Sequence, residues 1–151
     1  MREVQIDVPT AAAMERLGEA LAAQLRAGDV VTLEGGLGVG KTTLARGLLQ
    51  GLGYAGHAPS PTFAILQGYE PPEVRLAVGH VDLYRIEAAS ELEELGLDDW
   101  LDGGALVIEW PDRLGGLYHD MALTISLSPT PDGGRLLTAR LPKSWEGRWP
   151  A

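Results

Sequence analysis

The chain has 151 residues, enough for one domain with a real core but too few to add a separate substrate-binding domain. Its 45% hydrophobic content and mean hydropathy of 0.00 describe an ordinary globule, no apolar run approaches the roughly 18 residues of a membrane span, and Met1-Arg2-Glu3-Val4 opens without a signal-peptide apolar stretch. The absence of cysteine excludes disulfides, thiolate metal sites and cysteine nucleophiles, and a formal charge of −9 with two lysines and ten scattered arginines argues against an autonomous grip on RNA. These features favour a protein of the cytosol.

Along the chain, Pro9-Thr10 opens a helical stretch with Met14, Leu17, Leu21 and Leu25 at i, i+3/i+4 spacing, ending before Gly28-Asp29. Val30-Val31-Thr32-Leu33 follows as an apolar, β-branched strand, and Thr43 to Leu49 continues as a helix that closes at Gly51-Leu52-Gly53. Gly56 to Pro61 is a break rich in Gly, Pro and Ser. Phe63–Tyr69 and Val74–Val78 are predicted as two strands around Glu70-Pro71-Pro72-Glu73, and Ser90-Glu91-Leu92-Glu93 as a capping box with Ser90 at the N-cap. Ala105–Ile108 reads as a short buried strand, and Leu123–Leu127 and Leu136–Leu141 as a hairpin around Pro131-Asp132-Gly133-Gly134. The sum is an α/β fold, a mixed central sheet flanked by helices in a single domain over residues 1–151.

Between the Val30 strand and the Thr43 helix, Gly35-Gly-Leu-Gly-Val-Gly-Lys-Thr42 is a complete G-x-x-x-x-G-K-[ST] phosphate-binding loop. Glycines let successive backbone N–H groups turn inward around a polyphosphate, Lys41 can reach the β/γ-phosphates, and the Thr42 hydroxyl can ligate Mg²⁺. The strand–loop–helix setting aims a helix N-terminus at the anion. Carboxylates for the metal and for water are expected at the carboxyl ends of neighbouring strands, and two stand there: Asp82 after Val78-Gly79-His80-Val81, and Glu109 after Val107-Ile108. Either acid could instead cap a turn. Guanine specificity through Asn/Thr-Lys-x-Asp is excluded, because the chain has no Asn and neither Lys41 nor Lys143 is followed two residues on by Asp. ATP is therefore the expected nucleotide.

Three further clusters, Ser60-Pro61-Thr62-Phe63, His80-Val81-Asp82-Leu83-Tyr84-Arg85 and Ile108-Glu109-Trp110-Pro111, stand in order after the loop. With it they resemble the TsaE family, the small bacterial ATPases that assist tRNA threonylcarbamoyladenosine biosynthesis, and the resemblance covers roughly residues 10 to 141. It implies a phosphate-binding-loop NTPase fold in which Gly35, Gly38, Val39, Gly40, Lys41, Thr42 and Thr43 hold the ATP phosphates, with Thr42 and Glu109 on Mg²⁺. It implies further that Asp82 orients the attacking water, that Ser60–Phe63 form a switch-like loop with Thr62 sensing phosphate or metal, and that Trp110 lies near the nucleotide, although Trp110 also reads as a core aromatic. Arg135 matches a family arginine covering the base or a phosphate. Tyr84 and Arg85 would support the loop or face a partner, and His80 reads as an orienting or packed histidine rather than a base.

The chain departs from the family at Gly36, where an acid is common, and in its first helix, where a threonine near the adenine pocket is common and Thr10 is the nearest here. The resemblance implies action on two homologous subunits of the tRNA threonylcarbamoyl transferase complex, contact with tRNA only through them, and no membrane. A weak, partner-activated ATP hydrolase follows. A small-molecule kinase of the shikimate or adenylate type shares loop and size but should add an arginine-rich lid, and the stretch after Pro111 offers only Arg113. A non-catalytic nucleotide-binding adaptor is the remaining alternative.

Overall fold

The apolar, β-branched runs pair into one mixed sheet. In the computed structural model, which describes residues 2–36, 38–56, 58 and 65–150, its strands are β1 (Arg2–Val8), β2 (Val30–Glu34), β3 (Leu66–Tyr69), β4 (Ala77–Asp82), β5 (Gly104–Glu109), β6 (Leu123–Pro129) and β7 (Arg135–Leu141). They lie in the order β1-β7-β6-β2-β5-β4-β3. The central run β6-β2-β5-β4 is parallel, and antiparallel pairs close both edges. The fully buried β5 is apolar up to Glu109, as expected for a parallel strand covered on both faces.

Helices α1 (Ala11–Gln24) and α2 (Lys41–Gly51) cover one face, packing Met14, Leu21, Leu44 and Leu48 on Val31, Leu33, Val107 and Ile125. Two glycines set how closely these helices meet. A methyl group on Gly18 would run into the Leu44 carbonyl, and one on Gly47 into the Glu15 carbonyl, so the helices touch backbone to backbone. The other face, under β2, β5 and β4, is covered by α3 (Ala89–Glu94), α4 (Leu97–Trp100) and the segment around Leu114. There the Trp100 ring lies over Gly68 and Gly79, cross-strand partners whose missing side chains make room for it.

Three local expectations change. First, β1 is an additional strand whose Val4-x-Ile6-x-Val8 alternation pairs with β7. Second, β4 begins at Ala77 rather than Val74. Val74 is buried outside the sheet, and Arg75 is drawn to the C-terminal end of α1, donating to the carbonyls of Ala22 and Leu25 while its N–H reaches the Leu52 carbonyl. Third, the N-cap of α3 is Ala88 rather than Ser90. Only the acidic half of a capping box forms: the Glu91 carboxylate accepts the N–H groups of Glu87 (2.7 Å) and Ala88 (3.1 Å), which hold its pKa below the usual range. The predicted strand start at Phe63 lies outside the described residues.

Beyond β7 the chain folds back. Trp145 is fully buried in the α1/α2 layer, and Arg148 stacks over its ring, 4.1 Å from the centroid. Arg148 also pairs with Asp29 at 2.5 Å and donates to the Gln24 carbonyl at 2.6 Å.

Candidate active site

The loop after β2 turns on three glycines in the left-handed region, Gly35 (φ 144°), Gly38 (φ 73°) and Gly40 (φ 109°), a conformation that β-carbons oppose. Gly40 is the N-cap of α2 and supplies no side-chain cap, so first-turn N–H groups are left to an anion. Gly36 differs: its φ is ordinary and a β-carbon there would meet nothing within 4 Å, so its backbone does not require glycine. Thr42 and Thr43 lie half-buried in the first turn of α2.

Lys41 is buried, at 5% exposure. Its Nζ donates to the Gly35 carbonyl at 2.7 Å and stands 3.6 Å from the centre of the Trp110 ring. Desolvation lowers its pKa, opposed by the negative charges of Glu109, Asp82 and Asp112. The structure thus brings the sequence-predicted lysine, both acids and the tryptophan into one place. Trp110 adopts a left-handed backbone (φ 60°) directly after β5, and the Tyr84 ring packs against it at a tilt, ring centroids 4.9 Å apart.

Asp82 and Glu109 are the last residues of adjacent parallel strands and are register partners. Both are almost fully buried. Alternate residues of a strand share a face, so both lie on the α1/α2 side, with Val78 and Val107. The Tyr84 N–H donates to Asp82 Oδ1 at 2.9 Å. His80, two residues before Asp82 on the same face, has its Nε2 2.7 Å from Glu109 Oε2. The expectation of an orienting or packed histidine is met in that its ring is buried against this carboxylate.

A hydroxyl and a carboxylate, as on Thr42 and Glu109, are oxygen ligands of the kind Mg²⁺ takes. No group of three or more His, Cys, Asp or Glu gathers among the described residues, so a metal here would rely on one or two protein oxygens plus phosphate and water, as Mg²⁺ does. Thr42 and Glu109 offer those oxygens.

Arg135 lies at the loop from the opposite side. Its Nε donates to the Val39 carbonyl at 3.0 Å and its Nη2 to the Gly38 carbonyl at 3.3 Å, so it grips loop backbone. Beside it a cavity of about 160 Å³ opens between the start of α1 and the β6–β7 turn, walled by Pro9, Thr10, Met14, Val39, Gly134 and Arg135. Thr10 is the N-cap of α1, its Oγ1 accepting the Ala13 N–H at 3.1 Å. Its walls come from three distant segments, of which only the phosphate loop carries a motif, so the sequence offered Thr10 and Arg135 singly and not the cavity they share. Ser60 to Phe63, with Thr62, lie outside the described residues, and no helix among the described residues is long and apolar enough to cross a membrane.

A glycine loop between a central parallel strand and its helix, with acids at the neighbouring strand ends, puts this chain in the phosphate-binding-loop class of α/β proteins. Within that class it belongs to the TsaE family, since the model of the Threonylcarbamoyl adenosine biosynthesis protein TsaE matches residues 8–137. The tRNA threonylcarbamoyladenosine biosynthesis protein TsaE of Treponema pallidum is 36% identical over 124 residues, 82% of this chain and 90% of its own length. The protein of that name from Bacillus subtilis is 39% identical over 118 residues, 78% of this chain and 72% of its own. The one from Streptomyces coelicolor is 48% identical over 103 residues, 64% of this chain and 66% of its own length, just under two thirds. The crystal structure of YdiB from Bacillus subtilis superposes with a TM-score of 0.79 at 27% identity, covering 97% of this chain and 91% of that one.

Proposed function

We propose that this chain is a Mg²⁺-dependent ATPase serving tRNA threonylcarbamoyladenosine biosynthesis, acting as one unit over residues 1–151 on the transferase complex rather than on tRNA itself. One observation carries the ATPase reading: the loop lysine, Lys41, is buried among Glu109 and Asp82 at adjacent strand ends. Phosphate binding alone needs the loop; two buried acids beside it are what hydrolysis adds.

Lys41 and the loop N–H groups hold the β- and γ-phosphates, and Thr42 with Glu109 would hold the metal, which would supply neutralisation of the phosphate charge. Asp82 orients the attacking water, because phosphoryl transfer needs positioning and charge neutralisation more than covalent chemistry. The cavity beside Arg135 receives the base: Met14 and Val39 offer apolar contact, and the backbone of the β6–β7 turn supplies polar edges. Ser60–Phe63, through Thr62, reports the γ-phosphate to the two homologous partner subunits, in the cytoplasm where ATP and tRNA meet. The acidic balance of the chain, −9, suits a basic partner groove.

Phosphate release measured with Mg²⁺ or EDTA, with and without the partner pair, tests this. Turnover that needs Mg²⁺, rises with the partners and is lost in Lys41→Ala is expected. Nucleotide binding with no metal-dependent release would overturn the ATPase reading in favour of an adaptor or a kinase lacking its acceptor.

A further inference from the structure

The His80-x-Asp82 spacing puts two polar side chains on the same buried face of β4, and they turn to different partners. Asp82 takes the N–H of Tyr84, at the rim. His80, 1% exposed, lies one step deeper, beside Glu109 across the parallel ladder, and its Nε2 is 2.7 Å from Glu109 Oε2. Its other nitrogen, Nδ1, is buried and has no hydrogen-bond partner among the described residues. A carboxylate oxygen accepts, so the imidazole proton shared between the two sits on Nε2.

A stability role explains this pair poorly. Val78 and Val107 line the same layer, and burying an acid and an imidazole there costs desolvation that an apolar pair would avoid. A base role explains it no better: with the proton on Nε2, the nitrogen left to take one is Nδ1, which is buried inside the layer. What the contact does achieve is to fix one oxygen of the carboxylate at the end of β5.

We propose that His80 is a positioning residue: its Nε2–H holds Oε2 of Glu109 and leaves Oε1 as the oxygen offered to the divalent cation. This rests on the reading of Glu109 as the metal-side acid. Partners of metal-ligating carboxylates set the geometry of the ligand, and their loss typically weakens metal affinity about 10–100-fold.

The test uses Mn²⁺ as the probe, its affinity for the protein–AMP-PNP complex read by electron paramagnetic resonance, with AMP-PNP affinity measured separately in EDTA. His80→Asn removes the Nε2 donor but keeps a polar group near Nδ1; His80→Gln can place its amide nitrogen where Nε2 stands. His80→Asn is expected to weaken Mn²⁺ about tenfold and leave metal-free nucleotide affinity within about twofold, while His80→Gln stays within about threefold of wild type. Equal losses in both variants, no loss in either, or a loss confined to metal-free nucleotide binding would overturn the proposal. Glu109→Gln separates the underlying reading: unchanged Mn²⁺ affinity there removes the metal role of Glu109 itself. The wild-type protein gives an answer without any substitution. Long-range ¹⁵N–¹H spectra should show His80 protonated at Nε2, and an unprotonated Nε2 defeats the proposal.

Discussion

Lys41 and Trp110 are stacked: the ammonium stands 3.6 Å from the ring centre while it donates to the Gly35 carbonyl. The lysine is therefore held within its own loop, on a residue that immediately follows Glu109. To reach a γ-phosphate it must leave both the carbonyl and the ring face. The charge over the indole then changes, and with it the emission of Trp110. ATP is expected to shift tryptophan fluorescence in the wild type, and the shift to vanish in Trp110→Phe although Trp100, Trp145 and Trp149 remain. An undiminished response in that variant would count against the displacement of Lys41.

The depressed pKa of Lys41 carries a pH signature. Desolvation lowers its folded-state value below 10.5, so between that lowered value and 10.5 the unfolded chain binds more protons than the folded one. Stability from this group therefore rises with pH across that window, and the burial penalty is fully present below it. Chemical denaturation of wild type and Lys41→Met from neutral pH to 10.5 should show their difference moving in favour of the wild type as pH increases. A pH-independent difference would contradict the assignment.

Arg135 bonds two consecutive loop carbonyls, those of Gly38 and Val39, from a different strand. Hydrogen bonds from a charged group are worth about 1.5–3 kcal/mol each when well made. Losing them loosens the loop before ATP arrives, so Arg135→Ala is expected to raise the ATP dissociation constant about tenfold or more. Arg135→Lys should recover little, because a single ammonium cannot serve both carbonyls in the fork geometry of a guanidinium. Isothermal titration of the two variants checks this.

Asp29 and Arg148 form a pair at the opposite end of β2 from the loop, each side chain about a tenth exposed. Arg148→Ala leaves Asp29 without its cation in a mostly buried position, a loss of about 3–5 kcal/mol. Temperature-dependent unfolding should report it, while ATP turnover per folded molecule below the transition stays at the wild-type value. A turnover defect in the folded variant would mean that the two ends of β2 are coupled.

Much of the architecture was legible because the strongest local signals coincide with the sheet centre. Val30–Leu33, the glycine loop and the helix after it carry their own start and stop marks, and Val107-Ile108 reads as a buried strand from its composition alone. β1 escaped notice because its Val-x-Ile-x-Val face is diluted by Arg2, Glu3, Gln5 and Asp7, which edge position permits. Val74–Leu76 has strand composition, yet Arg75 bonds carbonyls at the C-terminal end of α1, a tertiary pull that no local pattern contains. At the site, Asp82 and Glu109 were readable as strand-end acids. Their register partnership, the contact of His80 with Glu109 and the grip of Arg135 on the loop are properties of pairing between distant segments, and these appear only once the sheet is assembled.

The glycine contacts between α1 and α2 bear on how the site can move. α2 begins at the loop lysine, and the first turn of α1, from Ala11 to Met14 behind Pro9 and Thr10, forms one wall of the cavity. Where Gly18 and Gly47 meet, main chain presses on main chain with no layer of side chains between to absorb a shift. Were α2 to rotate with the loop on phosphate in the course of the proposed function, the shift would pass to the cavity wall undamped, like a push through a rigid joint. On the proposed ATPase reading, triphosphate grip and base enclosure would be two readings of one lever, with the opposite wall, the β6–β7 turn and Arg135, as the jaw against which it works.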